Sequence, residues 1–241
     1  MTVLVLSGTT IGHRVAEALH GSGVDVVSSL PSDVTDAPPP GGVRHGGFGG
    51  QQGLAQWLRG HQVWAVVDAT HPYARTMSRN AHRVCAMLGL PMMRIVRPSW
   101  AERADAGDWT WVDGHDLACQ AAGQVGAPVF LGVGRQPLWH YHLLPEPVTA
   151  RVAVDDGFPR PASWQVVQMR GAQPLETELR LLRGHRVMVV RDLGGDSHAA
   201  KLEAAAQLGV HVVMLRRPRL PGPQVHHPDE VLAWLRGFQP S

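Results

Sequence analysis

Lysine is almost missing from this chain: Lys201 is the single one among 22 basic residues, and the others are arginines. Against 20 acidic residues this leaves a formal charge of only +2, with 14 histidines besides. So mild an excess excludes the strongly basic field needed to track a nucleic-acid backbone and suits an anionic small molecule better. The arginine preference reads as codon bias more than as a demand for planar carboxylate recognition. The lone lysine also excludes the short-chain dehydrogenase pairing of a tyrosine four residues before a lysine, because Ser197 holds that position. Cysteine is scarce too. Cys85 and Cys119 are the only two, each in an apolar stretch of helical spacing, which excludes a disulfide framework and a zinc cluster and fits a reducing compartment. His140-Tyr141-His142 and His226-His227 are isolated groups, short of the three or four converging ligands a metal ion needs, so no metal is expected. No apolar run approaches membrane-spanning length, and Thr2-Val3-Leu4-Val5-Leu6 follows the start without a basic leader. A cytoplasmic protein without membrane contact is the expectation.

What is present is the composition of a compact folded protein, 44% hydrophobic and 17% charged over 241 residues. That length suits one large or two small α/β units. Val3 to Leu6 is a short apolar run, as in a strand covered on both faces. Ser7-Gly8-Thr9-Thr10-Ile11-Gly12 then forms a tight polar loop, and Ile11, Val15, Ala18 and Leu19 recur at helical spacing until Gly21 and Gly23. Val24 to Val27 predicts a second strand, and residues 31–50, rich in proline and glycine, a long surface excursion. A helix over Leu54 to Leu58, a strand over Val63 to Val67, a helix lined by Met77, Ala81, Val84 and Leu88, and a strand over Met92 to Val96 complete a first series. The pattern lapses from Ser99 to about Gly107 and then resumes. Helices are expected over Leu117–Val125, Leu175–Leu182, Ala199–Leu208 and Val231–Leu235, and strands over Val129–Val133, Val152–Val154, Val166–Met169, Val187–Val190 and Val210–Leu215. Such alternation predicts an α/β protein of two Rossmann-like units, residues 1–100 and 101–241, each a parallel sheet flanked by helices, with the active site in the crevice between them.

The loop after the first strand is the candidate phosphate site. Backbone N–H groups and the dipole at a helix N-terminus favour an anion, the dipole alone by about 0.3 to 1 kcal/mol. Gly8 permits close approach, and Thr9 and Thr10 bring hydroxyls. The dinucleotide fingerprint is incomplete, with Gly8 and Gly12 present but Thr10 in place of the middle glycine, so a threonine-capped glycine turn stays open as the alternative. NAD-type sites end their second strand with an acidic residue on the ribose 2′-hydroxyl, whereas here Val26-Val27 is followed by Ser28-Ser29. No carboxylate there repels a 2′-phosphate, which tilts the choice toward NADPH, unless Asp33 folds back. Arg44 to Gly50 is a glycine cluster with one aromatic, in which Gly47 and Gly49 either form tight turns or bring backbone close to a planar ligand. Asp68-Ala69-Thr70-His71-Pro72-Tyr73 concentrates a carboxylate, a hydroxyl and an imidazole at the C-terminal edge of a buried strand, where α/β enzymes place functional groups. The alternative is that Asp68 caps the next helix and His71 is an exposed neighbour.

These runs carry a resemblance. Asp68 to Tyr73, then Ser78-Arg79-Asn80-Ala81, then Arg94 through Arg97-Pro98 with Trp100, is similar to the pattern of the precorrin-6A reductase family. The likeness extends to Gly8-Thr9-Thr10, Gly47-Phe48-Gly49-Gly50, Leu131 to Gln136, Gly194-Gly195, Lys201-Leu202 and Arg217-Pro218, nearly the whole chain. It implies hydride transfer from NADPH to a carbon–carbon double bond of a tetrapyrrole macrocycle, with a proton added to the neighbouring carbon, giving precorrin-6B in cobalamin biosynthesis. It implies further that the first half holds NADPH, through Gly8, Thr9 and Thr10 at the pyrophosphate, Ser28 and Ser29 at the adenosine phosphate, Gly47 and Gly49 nearby, and Asp68, Ala69, Thr70 and Pro72 on the nicotinamide side. The second half is expected to take the polycarboxylate substrate through Arg135, Arg191 and Lys201, with His71, Asp192 and Lys201 as candidate catalytic groups. Passing contact with neighbouring pathway enzymes is the only partner expected beyond the substrate.

The family pattern is not followed everywhere. Arg191-Asp192-Leu193-Gly194-Gly195 stands where relatives carry Lys-x-Ser-Gly-Gly, Arg170-Gly171-Ala172 replaces a Gly-Pro-aromatic turn, and Ser32-Asp33 replaces the usual Gly-Arg after the second strand. Recognition of the 2′-phosphate therefore rests on other residues. A cofactor-free tetrapyrrole synthase and a catalytically idle NADPH-binding sensor are the two competing readings, separated from the first by nucleotide titration and by turnover.

Overall fold

A computed structural model describes residues 1–31 and 37–238; Ser32 and Asp33 lie outside the described residues. The chain forms two units, one of Met1–Arg97 with the segment from Pro218 onward, the other of Pro98–Arg217. The first unit opens with β1 (Thr2–Leu6), α1 (Thr10–Gly21), β2 (Val26–Leu30), β3 (Gly42–His45), α2 (Gly50–Gly60), β4 (Val63–Asp68), α3 (Arg75–Leu88) and β5 (Met92–Ile95). Val3 and Val5 of β1 pack with Val15 and Leu19 of α1, while Leu4 and Leu6 pack with Leu54 and Leu58 of α2 and Val84 of α3. Alternate residues thus serve opposite faces, which is why the strand reads as unbroken apolar sequence. Two expectations are corrected here. The second strand runs on to Leu30, so Ser28 and Ser29 lie within it, in register with Val5 and Leu6. The supposed excursion contains β3, a strand at the edge of its sheet with one apolar residue and no buried position, too weakly patterned to be seen in sequence.

The second unit comprises β6 (Thr110–Val112), α4 (His115–Val125), β7 (Val129–Gly132), β8 (Val148–Val152), β9 (Gln165–Gln168), α5 (Leu175–Leu182), β10 (Val187–Arg191), α6 (Ala200–Leu208) and β11 (His211–Leu215). Its six strands are parallel in the order β6-β11-β10-β7-β8-β9. Phe130, Leu182, Met188, Val190, Leu202 and Met214 fill one side of the sheet. β8 begins at Val148, ahead of the expected Val152–Val154, because Thr149 and Arg151 interrupt its apolar run.

The chain then returns to the first unit with β12 (Gln224–Val225) and α7 (Pro228–Arg236). The segment from Pro218 to Phe238, assigned from sequence to the second half, belongs to the first unit and completes its sheet, in the order β12-β5-β4-β1-β2-β3. β12 pairs in parallel with β5, Gln224 against Arg94 and Val225 against Ile95. Val231 and Leu235 of α7 are buried in the same cluster as Val3 and Val67. A two-residue strand among prolines has no period to announce its partner. No helix among the described residues is long and apolar enough to cross a membrane.

Candidate active site

In the first sheet the strand order reverses beside β1, with β2 on one side and β4 on the other; ligands of open α/β sheets bind outside the C-terminal ends at such a point. The loops that follow β1 and β4 are tied together there. Ala69 N–H donates to the Leu6 carbonyl at 2.9 Å, and the Thr9 hydroxyl donates to the Ala69 carbonyl at 2.7 Å. Thr9 also caps α1, its oxygen accepting the Gly12 N–H at 3.1 Å. Its hydroxyl is thus spent on the fold, contrary to its expected role as a ligand donor. What the turn offers an anion is backbone: the first N–H groups of α1, at Thr10 and Ile11, have no carbonyl one turn back, and the Thr10 side chain is exposed. Gly8 has φ +101°, and a Cβ there would stand 2.7 Å from Pro31 Cδ, so only glycine fits. A Cβ on Gly12 would meet Ser7 Oγ at 2.3 Å; this glycine lets α1 settle on β1, the packing duty of the last glycine in a dinucleotide fingerprint.

The Asp68 loop is organised from within. Asp68 is 1% exposed; Oδ1 accepts from the Thr70 N–H and hydroxyl at 3.1 and 2.7 Å, and Oδ2 from Arg94 Nε at 3.2 Å. The carboxylate therefore shapes the loop and pairs with a buried arginine; it neither caps α3, whose first turn has no side-chain cap, nor stands ready as a ligand group. Ala69 and Pro72 are buried, Thr70 and His71 half-buried. His71 Nδ1 accepts the Tyr73 N–H at 3.2 Å, which orients the ring and leaves Nε2 as its donor nitrogen. Ser28 is fully buried, its hydroxyl without a hydrogen-bond partner among the described residues. Ser29 Oγ accepts from Arg44 Nη1 at 2.7 Å. Sequence reasoning passed over Arg44 because it lies on the unseen strand β3, opposite Ser29. Gly47 lends its carbonyl to Arg44 at 3.0 Å, and Gly49, at φ +73°, opens α2.

The second sheet reverses its order between β7 and β10, which gathers the Gly134-Arg135 turn and the residues after Arg191. A Cβ on Gly134 would lie 3.2 Å from Arg191 Nη2. Arg135 is exposed and pairs with Asp156 at 3.0 Å. Asp192, expected among catalytic groups, is 2% exposed and held by Ser99 Oγ at 2.6 Å, Trp100 N–H at 3.1 Å and Arg217 Nε at 3.0 Å. These bonds staple the start of the unit to its end and leave the carboxylate no catalytic freedom. Lys201 is different. It is 4% exposed in the first turn of α6 and makes no ion pair among the described residues, while the nearby Glu178 gives Oε1 to Arg151 at 2.8 Å. Burial above all, then the charges of Arg151 and Arg191, push the Lys201 ammonium down to about 8, against the pull of Glu178. Neither Glu178 nor Arg151 stood out in sequence. His115 is likewise pushed down to about 4, by burial first and then by His140 and Arg191, and its Nδ1 meets the hydroxyl of buried Tyr141 at 2.8 Å. Among the described residues no cluster of His, Cys, Asp or Glu is set to hold a metal ion.

Two parallel sheets covered by helices, each with polar loops at its switch point, define a two-unit α/β protein of the Rossmann-like class. Comparison with known proteins narrows this. The family model described as precorrin-6x reductase CbiJ/CobK matches residues 2–236. The precorrin-6A reductase of Mycobacterium tuberculosis is 40% identical over 223 residues, covering 91% of this chain and 90% of that protein. That of Rhodococcus erythropolis is 37% identical over 243 residues, covering 97% and 96%. A solved structure of CobK precorrin-6A reductase matches with a TM-score of 0.90 at 33% identity, over 100% of this chain and 98% of that one. The chain belongs to the precorrin-6x reductase family. Membership sets a reductase above the cofactor-free synthase and the idle sensor, and it implies a nicotinamide cofactor.

Proposed function

We propose that this chain reduces precorrin-6A to precorrin-6B, using NADPH held by the first unit. The observation that carries the cofactor assignment is the pair of loops after β1 and β4, joined through Thr9 and Ala69 at the switch point. Gly8 holds the turn at φ +101°, where a Cβ would run into Pro31, and the first N–H groups of α1, at Thr10 and Ile11, are the donors a pyrophosphate would take. Ser28 and Ser29 put no negative charge where the adenosine ribose is handled, which favours a 2′-phosphate over a bare hydroxyl. The Asp68–Pro72 loop, braced by Arg94, serves the nicotinamide side, with His71 as a fixed donor through Nε2.

The reduced nicotinamide, when bound, supplies the hydride. The protein's own share is to orient the rings, exclude water and manage charge and proton. Arg135, Arg191 and Lys201 hold substrate carboxylates, each charged hydrogen bond contributing about 1.5 to 3 kcal/mol. Lys201 is the group best set to hold a proton near neutrality and release it to the carbon beside the reduced one, because burial and two arginines already weaken its hold. Asp192 and Asp68 keep the loops in shape. Nucleotide titration tests the cofactor assignment: NADPH should quench the emission of the eight tryptophans and NADH far less, whereas no response to either defeats it.

A further inference from the structure

Resting on that nucleotide assignment, we propose that Arg44 grips the phosphate on the adenosine ribose and so sets the preference for NADPH over NADH. β2 and β3 run parallel with Ser29 opposite Arg44, which puts the arginine at the C-terminal edge of the sheet beside the last residues of β2. Rossmann-type sheets handle the ribose 2′ substituent there, with a carboxylate for a hydroxyl and a nearby arginine for a phosphate. Among the described residues the carboxylate is missing there and the arginine is present.

The guanidinium is held in advance. Nη1 donates to Ser29 Oγ at 2.7 Å and to the Gly46 carbonyl at 2.9 Å, Nη2 donates to the Gly47 carbonyl at 3.0 Å, and the group lies 3.8 Å from the Phe48 ring centroid. Those bonds use three of the five N–H groups an arginine carries. Two N–H groups, on Nε and Nη2, stay uncommitted among the described residues, enough for two oxygens of one phosphate. Each of these partners is neutral, and among the described residues no carboxylate pairs with Arg44. A brace for the Gly46-Gly47 turn alone needs hydrogen bonds but no cation; a phosphate needs both. Gly46, at φ +86°, takes a backbone conformation that favours glycine, and from this turn the carbonyls at positions 46 and 47 reach back to the arginine.

Binding rather than turnover tests this, read from tryptophan quenching. Trp57, whose ring centroid is 5.6 Å from that of Phe48, is a local reporter, and 2′-AMP and 5′-AMP serve as competitors. Arg44→Gln keeps donors for the turn and removes the charge. It should weaken NADPH and 2′-AMP about tenfold or more while leaving NADH and 5′-AMP within about twofold, and Arg44→Lys should recover part of the NADPH affinity. An Arg44→Gln protein that still prefers NADPH overturns the inference alone, and so does an equal loss for both dinucleotides, which marks a brace. Should the variant fail to fold, the unaltered protein decides: 2′-AMP displacing NADPH no better than 5′-AMP or inorganic phosphate overturns the proposal. Wild-type protein that binds neither dinucleotide defeats the cofactor assignment and this inference together.

Discussion

Lys201 and Asp192 were both candidate catalytic groups in sequence, and their surroundings separate them. The lysine titrates near 8 in the fold and at the ordinary lysine value when unfolded. Being depressed, it weakens the fold while charged in both states, below about 8, and the penalty is relieved as pH rises from about 8 toward the ordinary value. Lys201→Met removes the buried charge at similar volume. Thermal unfolding at pH 7 should show a protein no less stable than wild type, while turnover falls more than about tenfold; wild-type turnover would remove the lysine from the mechanism. Asp192→Ala should behave the other way. Stripping Arg217 of its buried partner should cost about 3 to 5 kcal/mol in denaturant unfolding, with KM of the surviving folded enzyme little changed. A stable Asp192→Ala protein without activity would return the carboxylate to the chemistry.

At the scale of elements, the first unit depends on a helix far away in sequence. Leu235 on α7 is 3% exposed and packs with Val3, Val5 and Val67, so Leu235→Ala should cost about 2 to 5 kcal/mol. Nucleotide binding should weaken along with it at temperatures where the first unit melts; unchanged unfolding would deny α7 that role. The same elements show what a sequence can reveal. β1, β4, β10 and β11 were legible because their buried positions are apolar, Asp68 at the end of β4 excepted. β3, β6 and β12 were not, for they stand at sheet edges, are short and have no buried residue. The site divides the same way. The Gly8 and Asp68 loops stood out as polar clusters at the ends of apolar strands. Arg44 hid on an edge strand among many arginines, and the Arg151–Glu178 pair beside Lys201 joins residues 27 apart in sequence, a proximity no local pattern encodes.

For the molecule as a whole, the 14 histidines add positive charge as pH falls below 7, and individual buried groups add their own acid sensitivity to that growing repulsion. His115 is the chief of these. Its pKa falls from the ordinary 6.5 to about 4 in the fold, so the unfolded chain takes up a proton first, and stability should decline as pH drops from about 6.5 toward 4. Replacing it by glutamine should flatten that decline in a thermal melt series; an unaltered slope would place the sensitivity elsewhere. Reduction of precorrin-6A by NADPH is open to one direct measurement. Purified protein is mixed with precorrin-6A and either NADPH or NADH while the absorbance of nucleotide and macrocycle is followed together. Loss of NADPH in step with the change in the macrocycle, with NADH markedly slower, is the predicted result. A macrocycle spectrum that stays unchanged in the presence of NADPH would contradict it.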